Sequence, residues 1–333
     1  IHPGQPPLDR PAYERNGGYS AARKALKEMS PEEVVQAVKD SNLRGRGGAG
    51  FSTGMKWSFM ASPMDVPRPR YLVANADEME PGTFKDRMLM EGDPRQLIEG
   101  MIISSYAVQA DVAYIFLRAE YGPAAECLRS AIAEAYERGY LGTHIFGSSH
   151  SLELHLHLSA GRYICGEETA LLSALEGKRA IPRARPPYPQ LAGLWGKPTV
   201  VNNVETLCNV PHIIANGADW YRGLSRGEDG GTKIYGASGR VNRPGTWELP
   251  MGTPLRELLE EHAGGMREGY QFRGLLPGGG STDFLVEEHL DVAMDFDSVQ
   301  AAGSRLGTGQ LIILDDRTCP VGMVHNLERF FAQ

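Results

Sequence analysis

The chain predicts an α/β fold: a Rossmann-like open parallel sheet with helices on both faces, followed by a small ubiquitin-like β-grasp domain. Three observations carry this. Short apolar runs at 71–74 and 113–117 alternate with helical stretches at 93–110 and 123–138, and strand–helix–strand–helix implies parallel strands with right-handed crossovers. Around residues 225–231 the composition turns to Gly, Ser and charge, which marks a boundary. Beyond it, 232–238 and 245–249 read as a hairpin turned through Asn242-Arg243-Pro244, followed by one helix and returning strands.

The elements follow in order. Residues 1–16 are rich in Pro and charge and are expected to wrap a surface. Helices are expected over 20–29 and 30–39, the second opened by Ser30 as cap, Pro31 at the first helical position and Glu33 completing a capping box before Val34, Val35 and Val38. A glycine-rich loop comes next. Gly45, Gly47, Gly48 and Gly50 leave almost no Cβ atoms, so the backbone N–H groups can approach a phosphate or a flat ring. Arg46 and Lys56 add positive charge, and Phe51, Trp57 and Phe59 add flat apolar faces; phosphate plus planar heterocycle describes a nucleotide. Gly45, Gly47 and Gly50 also match G-x-G-x-x-G, but that fingerprint leaves a strand and opens a helix, whereas this loop follows a helix.

Asn75, Asp77, Glu78 and Glu80 lie just past the 71–74 strand, where open α/β sheets place ligands. Residues 152–158 alternate strictly, with Leu152, Leu154, Leu156 and Leu158 on one face. Glu153, His155 and His157 take the other, read as a solvated strand face rather than a metal site. Gly166 and its neighbours open a helix at 170–175, so free N–H groups there can face an anion. Glu167 and Glu168 either complement that helix dipole or bind ribose hydroxyls or a flavin edge. The stretch 183–189 must be extended because of its prolines. It presents Arg185 and Tyr188, as an adenine or pyrophosphate contact or as a stiff connector. Asn202 and Asn203 open a further helix through Thr206, as caps or as hydrogen-bonding groups for a phosphate or ribityl chain. In the second domain, Thr253 is expected to cap a helix over 254–262 closed by Gly264-Gly265, with strands near Leu275, Ala293 and 310–314. Gly278-Gly279-Gly280 reads as a structural loop, and 323–332 starts a new helix. The domain boundaries read as 1–69, 70–226, 230–318 and 319–333.

Composition bounds the function. Hydrophobic content of 41% and charged content of 23% are those of a globular protein. A net charge of −7 argues against a nucleic-acid partner. The longest apolar runs, such as 101–103, are too short to cross a bilayer, so no direct membrane insertion is expected. Cys127, Cys165, Cys208 and Cys319 are widely spread with no C-x-x-C pair, so separate buried thiols in a reducing cytoplasm are expected, with no metal site. No secretory signal pattern opens the chain, and Ile1 in place of Met suggests a trimmed start.

Four motifs in this order suggest a family: Gly45-Arg46-Gly47-Gly48-Ala49-Gly50-Phe51 with Lys56-Trp57, Asn75-Ala76-Asp77-Glu78 with Glu80-Pro81-Gly82, Cys165-Gly166-Glu167-Glu168-Thr169, and Val201-Asn202-Asn203-Val204-Glu205-Thr206. From about Gly17 onward the chain resembles the NADH-binding, FMN-containing flavoprotein subunits of bacterial respiratory complex I, without their C-terminal iron–sulphur bundle. The resemblance implies FMN held by Gly45, Arg46, Gly47, Lys56, Asn75, Asp77, Gly166, Glu167, Asn202, Asn203 and Thr206, with Gly48, Gly50, Tyr163 and Arg185 in the same cofactor-binding set. It implies NADH lying over the flavin with its adenine between Phe51, Phe59 and Tyr188, and Glu80 and Glu168 at ribose hydroxyls or the nicotinamide end. Glu78 and Glu168 are the implied catalytic groups; they would act electrostatically, disfavouring excess negative charge on reduced flavin and rejecting the extra phosphate of NADPH. The implied activity is hydride transfer from NADH to FMN, followed by single electrons to iron–sulphur clusters and ultimately quinone. A four-iron cluster is expected from family residues beyond Gln333, not ligated here. The implied partners are the small two-iron cluster subunit and the large multi-cluster subunit, in a peripheral arm on the cytoplasmic face of the inner membrane. The alternative is the diaphorase subunit of a soluble NAD-dependent formate dehydrogenase or NAD-linked hydrogenase. Readings of another kind are a catalytically silent assembly subunit and a nicotinamide dehydrogenase without flavin. Arg185-Pro186-Pro187-Tyr188 stands where the family more often has Lys-Pro-Pro-Phe, keeping charge and ring.

Overall fold

The computed structural model describes residues 8–60 and 68–332. The chain divides into two compact units, the first made of the residues up to Gly45, Phe51–Met79 and Asp86–Tyr221, the second of Arg46–Gly50, Glu80–Lys85 and Arg222 onward. Of the segment 1–16 expected to wrap a surface, residues 1–7 lie outside the described residues.

The first unit is built on four parallel strands, β1 (Tyr71–Ala76), β2 (Val112–Leu117), β3 (Glu153–Leu158) and β4 (Thr199–Asn203), in the order β3-β2-β1-β4. Tyr71 is level with Val112 and Thr199, and Val112 with Glu153, so all four strands finish at one edge. The chain builds outward from β1 through β2 to β3, then crosses back to place β4 on the other side of β1. That reversal makes a topological switch point between β1 and β4, where an open sheet leaves a crevice.

Helices α1 (Arg10–Arg15), α2 (Ser20–Glu28), α3 (Pro31–Asp40) and α4 (Thr53–Ser58) precede β1. The Ser30–Glu33 capping box is present in both directions. Between β1 and β2 run α5 (Lys85–Gly92) and α6 (Pro94–Val108); α7 (Gly122–Glu137) leads to β3, and α8 (Glu168–Leu175) and α9 (Pro189–Ala192) lead to β4. Then come α10 (Val204–Asn216) and α11 (Ala218–Arg222). Helix α6 is buried along nearly its whole length, as its unbroken apolar run 101–103 requires. It crosses α10 so closely at Gly100 that a Cβ there would sit 2.1 Å from the Leu207 carbonyl oxygen. Helix α2 lacks a cap of its own, because Tyr19 adopts φ +61° and offers no side-chain acceptor. Glu99 of α6 replaces it, accepting from the N–H groups of Tyr19 (2.7 Å) and Ala22 (3.0 Å) and from the Tyr13 hydroxyl (2.5 Å).

The second unit carries a mixed sheet, ordered β6-β5-β8-β7, of β5 (Thr232–Ser238), β6 (Gly245–Pro250), β7 (Phe272–Leu276) and β8 (Gln310–Asp315). β5 pairs antiparallel with β6 and parallel with β8, and β7 closes antiparallel on β8, the β-grasp arrangement. Its core joins Tyr235, Met251, Leu258, Leu275, Phe296, Val299 and Leu311. The helices are α12 (Leu255–Glu257), α13 (Phe296–Ala301) and α14 (Pro320–Phe331).

Several sequence expectations need correction. Thr253 does not cap: its hydroxyl donates to the Pro250 carbonyl (2.8 Å), and the helix begins as α12 without a side-chain cap before widening to a π-turn at Leu258–His262. The strand near Ala293 is only a single bridge to Pro254. Trp57 is 2% exposed and cannot offer a face to a ligand. All four cysteines are free, but only Cys165 and Cys208 are buried; Cys127 is half-buried and Cys319 exposed. On β3 the histidines lie against aromatic neighbours, His157 stacked on Phe116 (5.2 Å) and His155 tilted against Tyr114 (5.2 Å), so they are packed as well as wetted.

Candidate functional site

The carboxyl edge of the first unit's sheet gathers the polar groups. At the end of β1, Asn75 donates through Nδ2 to the Gly166 carbonyl (3.0 Å) and accepts from the Asp77 N–H (3.2 Å). The strand end and the turn before α8 are thereby fixed together. Asp77 is 5% exposed; Oδ1 accepts from the Ser159 hydroxyl (3.3 Å), while Oδ2 is buried without a hydrogen-bond partner. Burial pushes its carboxyl up to about 6, against the pull of the Ser159 hydrogen bond. The Cys165 thiol nearby is pushed up to about 11, by burial first and then by Asp77.

Across the switch point, β4 ends in Asn202 and Asn203. The Asn202 side-chain oxygen accepts from Trp57 Nε1 (2.9 Å), which fixes its rotamer. Asn203 caps α10 by accepting from the Thr206 N–H (3.3 Å) and donates through Nδ2 to Asp86 (2.6 Å). Glu78 is turned to α5, accepting from the N–H groups of Asp86 (2.9 Å) and Arg87 (3.1 Å) and from the Tyr121 hydroxyl (3.0 Å). Its negative charge is therefore fixed in place at a helix start.

The third side of this edge is a chain of alternating charge. Glu167 caps α8, one oxygen accepting from the N–H groups of Thr169 and Ala170 (2.9 Å each). Its other oxygen meets Arg185 Nη2 (2.7 Å), which also reaches Glu168 (3.0 Å). Glu168 in turn binds Lys56 Nζ (2.5 Å), and that ammonium also donates to the Val201 carbonyl (2.7 Å). Glu167 is thus a cap, as the dipole-complementing reading expects, and both carboxylates meet cations. Beside them, Phe51, Phe59 and Tyr188 are 54%, 51% and 54% exposed, the first two with ring centroids 6.3 Å apart. Gly45 closes the base of the loop, donating its N–H to the Phe51 carbonyl (2.9 Å); Gly166 and half-buried Tyr163 lie in the turn before α8, and Thr206 is fully buried in α10.

The remaining sequence-predicted residues belong to the second unit. Arg46 is fully buried and donates to the carbonyls of Gly230 (2.7 Å) and Thr232 (3.0 Å). Gly48 and Gly50 have φ +123° and +64°, and a Cβ on Gly50 would fall 2.4 Å from the Phe296 ring, so only glycine fits there. Gly47 completes this turn. Glu80 accepts from the Ser281 N–H (2.6 Å). Sequence reasoning missed Ser159, Trp57 as a hydrogen-bond donor, and Asp86, whose partners lie 82, 145 and 117 residues away.

The edge suits a mononucleotide. Its buried Asp77 oxygen, without a donor, lies beside the Asn75 amide and the turn before α8, and is an acceptor open to a hydroxyl group from outside the fold. No group of histidine, cysteine or carboxylate side chains fit to hold a metal ion occurs among the described residues. Nor is any described helix long and apolar enough to cross a membrane.

Comparison with known proteins agrees with this geometry. Residues 38–212 match the family model of the Nuo51 FMN-binding domain, and residues 236–284 match that of the SLBB domain. The first match covers more than half of the chain, which therefore belongs to the Nuo51 FMN-binding family. It is 58% identical to the F subunits of the NADH-quinone oxidoreductases of Salmonella typhimurium and Escherichia coli K12, over 96% of this chain and 72% of each relative. The corresponding F subunit of Mycobacterium tuberculosis is 52% identical over the same shares. Among solved structures, the NAD+-reducing [NiFe]-hydrogenase in its air-oxidized state superposes with a TM-score of 0.82 at 37% identity, over 98% of this chain. The chain spans about half (54%) of that hydrogenase chain.

Proposed function

We propose that the chain is the electron-input flavoprotein of an NADH:quinone oxidoreductase, oxidising NADH with FMN as its cofactor. The observation that carries the site is Asp77 Oδ2, buried and without a donor at the carboxyl edge of β1. Bound FMN would supply the redox chemistry, taking a hydride from NADH and releasing electrons one at a time.

The residues do the rest. Asn75, Asp77, Asn202 and Asn203 offer hydrogen bonds to the cofactor's hydroxyl and ring groups from two adjacent strand ends, and Gly166 offers backbone to the same side. Lys56 stands ready for an anionic group, its charge meanwhile balanced by Glu168 at 2.5 Å. Glu168 presents negative charge where the dinucleotide's ribose would approach, which disfavours the extra phosphate of NADPH. Phe51, Phe59 and Tyr188 give the adenine exposed rings, worth about 0.5–1.5 kcal/mol for a stacked pair. Glu78, with its hydrogen bonds to α5 and Tyr121, contributes a fixed negative field. No side chain needs to move a proton, because the hydride leaves a C–H bond of the nicotinamide.

Electrons pass on to iron–sulphur centres in neighbouring subunits, those carrying the two-iron and the multiple clusters, on the cytoplasmic face of the membrane. The diaphorase reading is less favoured, since identity is 58% to the quinone-reducing relatives and 37% to the hydrogenase. The test is spectroscopic. FMN-loaded protein should show flavin absorbance that NADH bleaches, and Glu168→Gln should narrow the preference for NADH over NADPH; absorbance indifferent to NADH would refute the assignment.

A further inference from the structure

Five arginines cluster at one end of the second unit without the carboxylate partners that Arg226 and Arg256 have. Arg226 pairs with Glu257, and Arg256 with Asp291 and Glu260. Arg240, Arg243, Arg267, Arg273 and Arg317 have no carboxylate within ion-pair distance among the described residues. Four of them are held by carbonyl oxygens instead. Arg243 donates to Glu261 O, Arg267 to Val241 O (2.9 Å), Arg273 to Thr318 O (3.1 Å) and Arg317 to Gly269 O (2.7 Å). A carbonyl orients a guanidinium without cancelling its charge.

Three segments bring them together: the turn after β5, the approach to β7 with its first residues, and the turn after β8. The Val241–Met266 bridge and the bond from Arg267 N–H to Arg240 O (2.8 Å) join the first two. Tyr270 ties in the third, its ring flanked by the guanidinium of Arg240 (5.5 Å) and that of Arg317 (4.6 Å). Arg240, Arg243, Arg273 and Arg317 are exposed. The acids of the same turns are engaged elsewhere: Asp315 accepts from Arg317 N–H (2.8 Å) and Asp316 from Gln271 N–H (2.9 Å), leaving Glu268 exposed.

We propose that this end of the β-grasp unit is a docking surface for a carboxylate-rich segment of a neighbouring protein subunit. The proposal rests on the reading of the chain as one subunit of a larger oxidoreductase. Fixed, unneutralised arginines around a tyrosine are the side chains that interfaces favour, and bidentate forks suit carboxylates. A nucleic acid is disfavoured because the chain as a whole carries −7, which repels a long polyanion, while a short acidic segment feels mainly the local arginines.

The experiment uses FMN-loaded full chain and three double variants, Arg240→Gln/Arg317→Gln, Arg240→Glu/Arg317→Glu and Arg240→Lys/Arg317→Lys. Binding of labelled decaglutamate and of a duplex DNA oligonucleotide is followed by anisotropy at low and high salt. Retention by the co-expressed remaining oxidoreductase subunits is followed in parallel by gel filtration. The Gln pair should weaken decaglutamate binding and subunit retention about tenfold, the Glu pair should abolish both, and the Lys pair should keep most of each. NADH bleaching of bound flavin should be the same in every variant. Subunit retention unchanged in the Gln and Glu pairs, or duplex DNA bound more tightly than decaglutamate, overturns the proposal. Wild-type flavin that NADH fails to bleach would instead count against the oxidoreductase reading, since decaglutamate binding is measured separately.

Discussion

Two buried carboxylates of the first unit make an instructive pair. Glu99, in the helical layer, is 2% exposed and accepts from three donors, two of them N–H groups at the start of α2. Asp77, at the carboxyl edge of the sheet, is 5% exposed, accepts one long hydrogen bond, and leaves Oδ2 unanswered. Both sit in the same fold at the same depth. Glu99 repays its desolvation with intramolecular bonds and is architecture; Asp77 retains an unmet acceptor that a donor from outside the fold can answer.

That contrast can be broken from either side. The largest effect should come from Glu99→Ala, which strands the Tyr13 hydroxyl and two helix N–H groups. A loss of about 3–5 kcal/mol is expected in urea unfolding, with flavin affinity per folded molecule unchanged. Asp77→Asn should act in the opposite sense. Because the folded carboxyl is raised to about 6, the unfolded chain releases its proton first as pH rises. Stability therefore declines between about pH 4 and 6, and the penalty persists above. Removing the charge should add about 1–3 kcal/mol at pH 7, flatten that decline, and weaken FMN binding about tenfold. A variant that loses stability at neutral pH would contradict the assignment.

Smaller effects sharpen the picture around the charge chain. Lys56→Gln leaves Glu168 with Arg185 alone and removes the cation available to an anion, so FMN affinity should drop about fivefold, at a cost to stability of about 1 kcal/mol. Steady-state kinetics with ferricyanide and a flavin titration separate the two. The smallest change should follow Tyr188→Ala, an exposed ring: KM for NADH rising about two- to tenfold with kcat unaltered, the pattern of lost uniform binding.

Legibility in the sequence follows distance along the chain. The Ser30–Glu33 box, the alternation of β3, and the Asn203 cap of α10 are local patterns, and each is readable from a few adjacent residues. β4 escapes such reading because Thr199–Asn203 is only five residues and merges with the cap that follows it. Trp57 looks like a ligand platform in sequence because the Asn202 amide that takes its N–H lies 145 residues away. Arg46 gives no sign of its buried carbonyl partners 184 and 186 residues on. The residue types of the candidate site are visible in advance; what no local pattern carries is which of their hydrogen bonds the fold itself consumes.

The most direct test of the central claim is a fluorescence-quenching titration of FMN into wild-type protein and Asp77→Asn at neutral pH. Tight quenching by the wild type and about tenfold weaker binding by a variant that unfolds at higher urea would place the flavin on that carboxylate. Equal affinity in the two proteins would contradict it.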